Sequence, residues 1–282
     1  MKYEDYAEEE LREALEAKDQ EILFLKEQIL KAAHKAEFLS EKMERQLGVS
    51  KKLLDVLSPT ELPRITGYKF SSKYIASSGR GGDYMEIMNF KEQYGFGILL
   101  ANFKGAGLSA LFLACLLKFG TQISSIRNEP DKVFRMLADE LSPGLKAEEK
   151  TDLVYATVDK RKSKMEYCSS GSSEIFYYRD NSLHSVSANS SPITDGDVEI
   201  KKSSLSLEKD DVVLLLSPGI LGLDGFNSSK IEEILNEFLD EDLNVVRNEI
   251  IFYQKSLLNG QKPEADSSII LFQHQDRSLK LA

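Results

Sequence analysis

The chain has no tryptophan, two cysteines, three histidines and seven prolines in 282 residues. The shortage of cysteine excludes a disulfide-stapled secreted scaffold, and Cys115 and Cys168 suit reduced thiols. Cys115 lies in an apolar helical stretch and reads as a small packing residue. His34, His184 and His274 are scattered with no metal-ligand spacing. Basic residues are outnumbered 36 to 46 by acidic ones, giving a formal charge of −10 and a pI near 5.0. That balance argues against a nucleic-acid surface. No apolar run is long enough to span a bilayer; Leu108 to Leu117 is too short. The first residues, Met1-Lys2-Tyr3-Glu4-Asp5-Tyr6, are acidic and lack the apolar core of a secretory signal. These absences together predict a cytoplasmic protein.

The first 57 residues also lack proline, and their only glycine is Gly48. They are rich in Glu, Lys, Ala and Leu. One heptad position holds Leu15, Ile22, Ile29, Ala36 and Met43. The other holds Leu11, Leu25, Ala32, Leu39 and Leu53, with Lys18, Gln46 and Ser50 interrupting the seam. Several such heptads with densely charged flanks predict a dimeric coiled coil over 1–57, in preference to one amphipathic helix docked on its own domain. The dimerisation residues are Leu11, Leu15, Ile22, Leu25, Ile29, Leu39 and Met43, and polar core positions such as Lys18 and Gln46 fix register.

Ser58-Pro59-Thr60-Glu61-Leu62-Pro63 ends the helix and opens a linker over 58–66. From 67 to 276 the pattern turns to short runs of period two. Strands are predicted at Tyr68–Ile75, Tyr84–Phe90, Tyr94–Asn102, Asp152–Asp159, Met165–Ser169, Glu174–Arg179, Val198–Leu207, Val212–Ser217 and Ser268–Gln273. Helices are predicted at Leu108–Ile126, between Pro130 and Gly144, at Ser228–Leu239 and at Asp242–Leu258. Turns fall at Lys160–Lys164, Gly171–Ser173 and Asp180-Asn181. Residues 277–282 form a tail. Many strands with paired helices predict an α+β layered domain.

Within this domain, Gly81-Gly82-Asp83-Tyr84 precedes the apolar strand Gly97-Ile98-Leu99-Leu100-Ala101. That strand runs into Asn102-Phe103-Lys104-Gly105-Ala106-Gly107. The order resembles the SpoIIE/RsbU branch of the PPM-type (protein phosphatase 2C-like) serine/threonine phosphatases, and the resemblance extends from about Leu53 to Phe272. It implies an α-β-β-α sandwich, two antiparallel sheets packed face to face and flanked by helices. It also implies two divalent cations, Mn or Mg, bridged by aspartates, whose bound water attacks phosphate.

By the same resemblance the metal ligands are four aspartates. Asp83 matches the first. Asn102 stands at the second, where a neutral amide replaces a bridging carboxylate. The third follows the strand Val212–Leu216, and Ser217-Pro218-Gly219 puts Pro218 in its place. The fourth falls at Ala265 in Ala265-Asp266-Ser267-Ser268, with Asp266 one residue away as a possible ligand. The family's Asn-Ala-Gly-His appears as Ser169-Ser170-Gly171-Ser172. Glu86 and Asp224 are the candidate substitute carboxylates; strand alternation directs Glu86 away from Asp83, so that only a bulge would bring it to the site, and Asp224 ahead of Gly225 reads as a turn residue.

The reading is therefore a pseudophosphatase without catalytic residues or cofactor: a dimeric regulatory protein that binds a STAS-like or other phosphoprotein partner. The alternative is a Mn- or Mg-dependent phosphoserine/phosphothreonine phosphatase with a rearranged metal site. Gly105-x-Gly107-x-x-Ala110 also matches a dinucleotide-binding fingerprint. The polar stretch Gln122–Asn128 stands where the second parallel strand should be, and this excludes a Rossmann unit. Lys160-Arg161-Lys162 reads as a solvated basic turn.

Overall fold

The computed structural model describes residues 8–57, 62–77, 82–90, 94–104, 126–145, 150–186, 190–194, 198–261 and 263–275. The expected helix at Leu108–Ile126, with Cys115 and the glycines 105 and 107, lies outside them, apart from Ile126. The chain divides into two compact units, Met1–Val49 and Ser50–Ala282.

Helix α1 runs over Glu8–Leu57, 50 residues, or about 75 Å at 1.5 Å per residue. Lys18 with Glu21 and Glu27 with Lys31 form ion pairs along its surface. Leu15, Ile22, Leu25, Ile29 and Leu39 of the heptad seam are exposed, at 46–66% of their full accessibility. The side chains of Leu11 and Met43 lie outside the described residues. No helix among the described residues is long and apolar enough to cross a membrane.

The second unit is a sandwich of two five-stranded antiparallel sheets, as the resemblance implies. The first contains β1 (Tyr68–Ile75), β6 (Glu174–Arg179), β7 (Ser182–Ser185), β9 (Val212–Leu216) and β10 (Ser267–His274), in the order β1-β10-β9-β6-β7. The second contains β2 (Asp83–Phe90), β3 (Gly95–Lys104), β4 (Lys150–Asp159), β5 (Lys164–Ser169) and β8 (Lys202–Ser206), in the order β2-β3-β4-β5-β8.

Period-two alternation decides what lies between the sheets. Ile98, Leu100, Val154 and Ala156 of one sheet share a buried cluster with Val213, Leu215, Ile270 and Phe272 of the other. The alternate residues Leu99, Ala101, Leu153 and Tyr155 are also buried, under α2 (Pro130–Leu141), which contributes Val133, Phe134 and Leu137. On the far side Leu214, Leu216, Ile269 and Leu271 pack with Ile231 and Leu235 of α4 (Ser228–Phe238) and Val246 and Ile250 of α5 (Leu243–Leu257). Both faces are covered, which is why β9 is an unbroken apolar run. Side-chain caps fix the helix starts: Asn227 accepts from the Ser229 N–H and Asp242 from the Asn244 N–H.

Three details depart from expectation. The Asp180-Asn181 turn, with φ of 50° and 59°, opens a hairpin whose second strand, β7, is short and largely exposed. The predicted strand Val198–Leu207 shrinks to Lys202–Ser206 because serines take its first residues. Glu199 N–H donates to Ser191 Oγ and Lys201 N–H to Ser190 Oγ. Immediately after β9 the chain makes one helical turn, α3 (Pro218–Leu221), with Pro218 at its start, where a missing N–H costs nothing.

Candidate functional site: a buried polar row at one end of the sandwich

Strand pairing brings Asp83 of β2 opposite Asn102 of β3, and Asn102 opposite Asp152 of β4. The three side chains share the face of Ile98, Leu100 and Val154, so they point between the sheets. All three are at most 5% exposed. The β4–β5 register, Val154 with Ser169, extends to place Gly171 level with Asp152. A Cβ at residue 171 would stand 1.7 Å from Asp152 Oδ1, and φ there is +71°. Gly171 is thus the residue that leaves room for Asp152.

The opposing sheet supplies a second polar row. Tyr74 pairs with Ser268, and the pairing of Leu216 with Ile269 continues to Ser217 beside Ser268. Ser217 Oγ accepts the Ser268 N–H at 2.8 Å. Ser173 lies next, ahead of Glu174, which pairs with Leu216. Ser173, Ser217 and Ser268 are buried. The apolar interior therefore ends, on this side, in carboxylates and an amide facing hydroxyls.

Asn102 Nδ2 donates to Asp83 Oδ1 at 2.5 Å. Asp83 Oδ2 has no hydrogen-bond partner. Burial pushes the Asp83 carboxyl up to about 7; the amide of Asn102 and the nearby hydroxyls of Ser217 and Ser268 restrain the rise, and the charge of Asp266 adds to it. Removal from water disfavours the charged form, and an amide donor offsets only part of that penalty.

Asp266 is engaged throughout. Its Oδ2 accepts Tyr74 Oη at 2.6 Å, Gly82 N–H at 2.9 Å and Asp83 N–H at 3.4 Å, while Oδ1 accepts Ser77 N–H at 2.8 Å. It holds the end of β1 and the start of β2 together. Gly82 packs backbone to backbone here: a Cβ would stand 2.3 Å from Phe103 O. Gly81 lies outside the described residues.

The remaining sequence candidates separate. Pro218 opens α3, and Pro218, Ala265, Asn102 and Asp266 border one open cavity of about 650 Å³. Glu86 lies on the opposite face of β2 from Asp83, where its Oε2 accepts Tyr84 Oη at 2.7 Å; the β2–β3 register has no bulge to turn it inward. Asp224 sits exposed in a turn closed by Phe226 N–H to Leu223 O. Among the described residues no group of three or more His, Cys, Asp or Glu side chains is placed to hold a metal ion. Cys168 is buried, and burial raises its thiol to about 12, the condition of a packing residue.

Sequence reasoning missed Asp152 and the serine row. The signal for Asp152 was available: a carboxylate opening an otherwise apolar strand, at even spacing from Val154 and Ala156. The serines carry no such signal until the sheets are paired.

The SpoIIE family model, described as stage II sporulation protein E, matches residues 92–275. No curated protein matches the sequence. Among solved structures, the SiaA-PP2C domain of Pseudomonas aeruginosa is similar over 84% of this chain and 98% of its own, at 14% identity and a TM-score of 0.61. The RsbU and RsbW domains of Rv1364c from Mycobacterium tuberculosis match over 78% of this chain and 63% of theirs, at 14% identity and a TM-score of 0.62. RsbX in complex with magnesium matches over 76% and 98%, at 13% identity and a TM-score of 0.57. At these identities the structures speak to the fold, and the family match spans well over half of the chain: the protein belongs to the SpoIIE family and has its PP2C-like sandwich.

Proposed function

We propose that this protein is a pseudophosphatase, a SpoIIE-type domain that works by binding rather than hydrolysis. The observation that carries this reading is the Asp83–Asn102 hydrogen bond. A second bridging carboxylate would stand at Asn102 in a catalytic relative; here an amide holds the one remaining aspartate. Pro218 and Ala265 bring no side-chain donor atoms to the other two ligand positions. Asp266, the neighbour that might substitute, already accepts four hydrogen bonds.

On this reading the domain docks a regulatory partner, a STAS-like protein or another phosphoprotein. Two structural relatives are compatible with a regulatory setting: one is RsbX in complex with magnesium, and the other joins RsbU and RsbW domains in Rv1364c. The exposed seam of α1 supports a homodimer joined through that helix, and on this reading the protein acts in the cytoplasm. The domains proposed are the helix 1–57, a linker 58–66, the phosphatase-like domain 67–276 and a tail 277–282.

The alternative, a Mn- or Mg-dependent phosphatase with a rearranged site, is favoured by one observation: Asp152 flanks Asn102 on the side away from Asp83. Calorimetry with Mn²⁺, together with hydrolysis of a phosphoserine peptide by wild type and Asp83→Ala, separates the two. Neither binding nor turnover is expected of wild type. Turnover abolished by Asp83→Ala would overturn the proposal. Restoring Asn102→Asp, Pro218→Asp and Ala265→Asp together tests whether the scaffold can regain metal binding.

A further inference from the structure

Strand β1 lies at the edge of its sheet and pairs with β10 alone among the described strands. Gln275 N–H donates to Gly67 O. The alternation of an antiparallel ladder then turns the main-chain groups of Tyr68, Phe70, Ser72 and Tyr74 outward. Tyr68 N–H is taken by Ile65 O, and Ser72 O accepts Arg247 Nη1 at 3.3 Å. Among the described residues nothing meets Phe70 N–H, Phe70 O or Ser72 N–H. The opposite edge of the sheet is closed from within: on β7 the outward Leu183 N–H donates to Glu232 Oε2 at 2.7 Å.

A row of positive charge runs beside these free groups. Lys69 and Lys73 are exposed and share the face of Ser71, one on either side of it. Arg247 of α5 reaches Ser71 Oγ at 3.2 Å, and its other partners, Ser72 O, Asn244 and Asn248, are all neutral. Among the described residues Lys69 and Lys73 form no ion pair. In a chain of formal charge −10, three neighbouring cations without a carboxylate make a local field that attracts anions. On its inner side Ser72 borders a small apolar notch with Leu62, Pro63, Met85 and Ile87.

We propose that β1 receives an extended acidic segment of a partner protein as a sixth strand of this sheet. The main chain of the guest pairs with Phe70 and Ser72. Carboxylates at alternate positions stand opposite Lys69, Ser71 and Lys73, where cross-strand side chains are about 5 Å apart. There they meet two ammonium groups and the Arg247 guanidinium. The intervening side chains face the notch and are apolar. A second copy of β1 fits worse, because it would bring Lys69 and Lys73 against like charge. The inference rests on the partner-binding reading and not on the state of the metal positions.

The test uses the full chain, isotopically labelled, and two peptides of equal composition followed by NMR. One is acetyl-Thr-Glu-Val-Glu-Val-Glu-Thr-amide, and the other groups its acids as acetyl-Glu-Glu-Glu-Thr-Val-Thr-Val-amide. The alternating peptide should give saturable shifts at Phe70 and Ser72 and slow the exchange of both N–H groups. The grouped peptide should bind at least tenfold more weakly. Lys69→Glu with Lys73→Glu should weaken the alternating peptide tenfold or more. Ser72→Pro removes an outward N–H and leaves the β1–β10 ladder in place, since edge strands tolerate proline; it should abolish the slowed exchange. If that variant melts early, the charge reversal at two exposed residues decides. Equal affinity for the two peptides, or in the charge-reversed chain, overturns the inference. So does the absence of saturable shifts, which would leave the lysines as guards that keep the edge from pairing. Hydrolysis of a phosphoserine peptide in Mn²⁺ would defeat the pseudophosphatase reading and leave the edge inference standing, whereas loss of peptide binding removes the edge inference alone.

Discussion

Asn102 donates its amide to Asp83 across the first strand pair of the second sheet, at 2.5 Å and with both side chains buried. Buried at the end of an apolar interior, with an amide and two serine hydroxyls offsetting only part of the penalty, Asp83 is a group whose ionisation opposes folding. Its acid form is favoured up to about pH 7, against an ordinary value of 3.8. The folded pKa is the higher, so the folded state holds the proton over that interval and the unfolded state does not. Stability from this group is complete below about pH 4 and declines as pH rises through 7. At about 1.4 kcal/mol per pH unit the loss is on the order of 4 kcal/mol. Asp83→Asn, measured by urea unfolding in chelator, should therefore gain on wild type between pH 4 and 7 and hold the gain above it. A wild type that grows more stable with pH relative to Asp83→Asn would mean that the carboxylate is held charged.

Asp266 offers the converse case, a buried carboxylate surrounded by donors. Asp266→Ala strands the Ser77, Gly82 and Asp83 N–H groups and removes an acceptor from the Tyr74 hydroxyl. The expected cost is about 3 kcal/mol or more, since orphaned buried donors lose their full solvation. Hydrogen exchange should rise first at Ser77 and Gly82. Unchanged exchange there would show that Asp266 is not what fastens β1 to β2.

The strands were readable because alternation is a local property. Tyr68–Ile75 and Glu174–Arg179 appear with the predicted bounds, and β4, β5, β9 and β10 shift by at most two residues at an end. The short β7 was obscured because none of its residues is fully buried, so burial leaves little pattern in it. The single turn α3 was missed because a strand-ending Ser-Pro-Gly reads as a loop until Gly222 N–H is seen on Pro218 O. Motif order indicated Asp83, Asn102, Pro218 and Ala265 as one site. It was silent on Asp152, which enters only through the register of β3 on β4, and on the engagement of Asp266 by backbone groups remote in sequence.

Gly171 tests that register directly. Gly171→Ala places a methyl group on the Asp152 carboxylate and also strains a residue at φ +71°. The substitution should destabilise by about 2–3 kcal/mol, combining overpacking with a left-handed backbone. Asp152→Gly in the same chain should recover the steric share and leave the backbone share of about 1 kcal/mol. A double-mutant cycle with no coupling would place Asp152 and Gly171 apart.

The long helix supplies the last expectation. Ile22 and Ile29 occupy the same heptad position and are 46% and 66% exposed in a single chain. Leu15, Leu25 and Leu39 line the same seam, so a helix of about 75 Å leaves its apolar stripe to water unless another helix covers it. Pairing with a second copy buries that stripe, at roughly 1.5–3 kcal/mol per large side chain fully removed from water. The pair Ile22→Asp, Ile29→Asp introduces two charges per chain at the centre of the seam, where neither has a cation opposite it at the same heptad position. Sedimentation should give a wild-type mass near twice the 31.7 kDa of one chain, falling to one chain in the variant. The sandwich carries its own core on both faces of each sheet, so its thermal unfolding should be little changed. A wild type that sediments as one chain would sink the proposed coiled-coil dimer, and a variant that stays dimeric would move the contact off this seam.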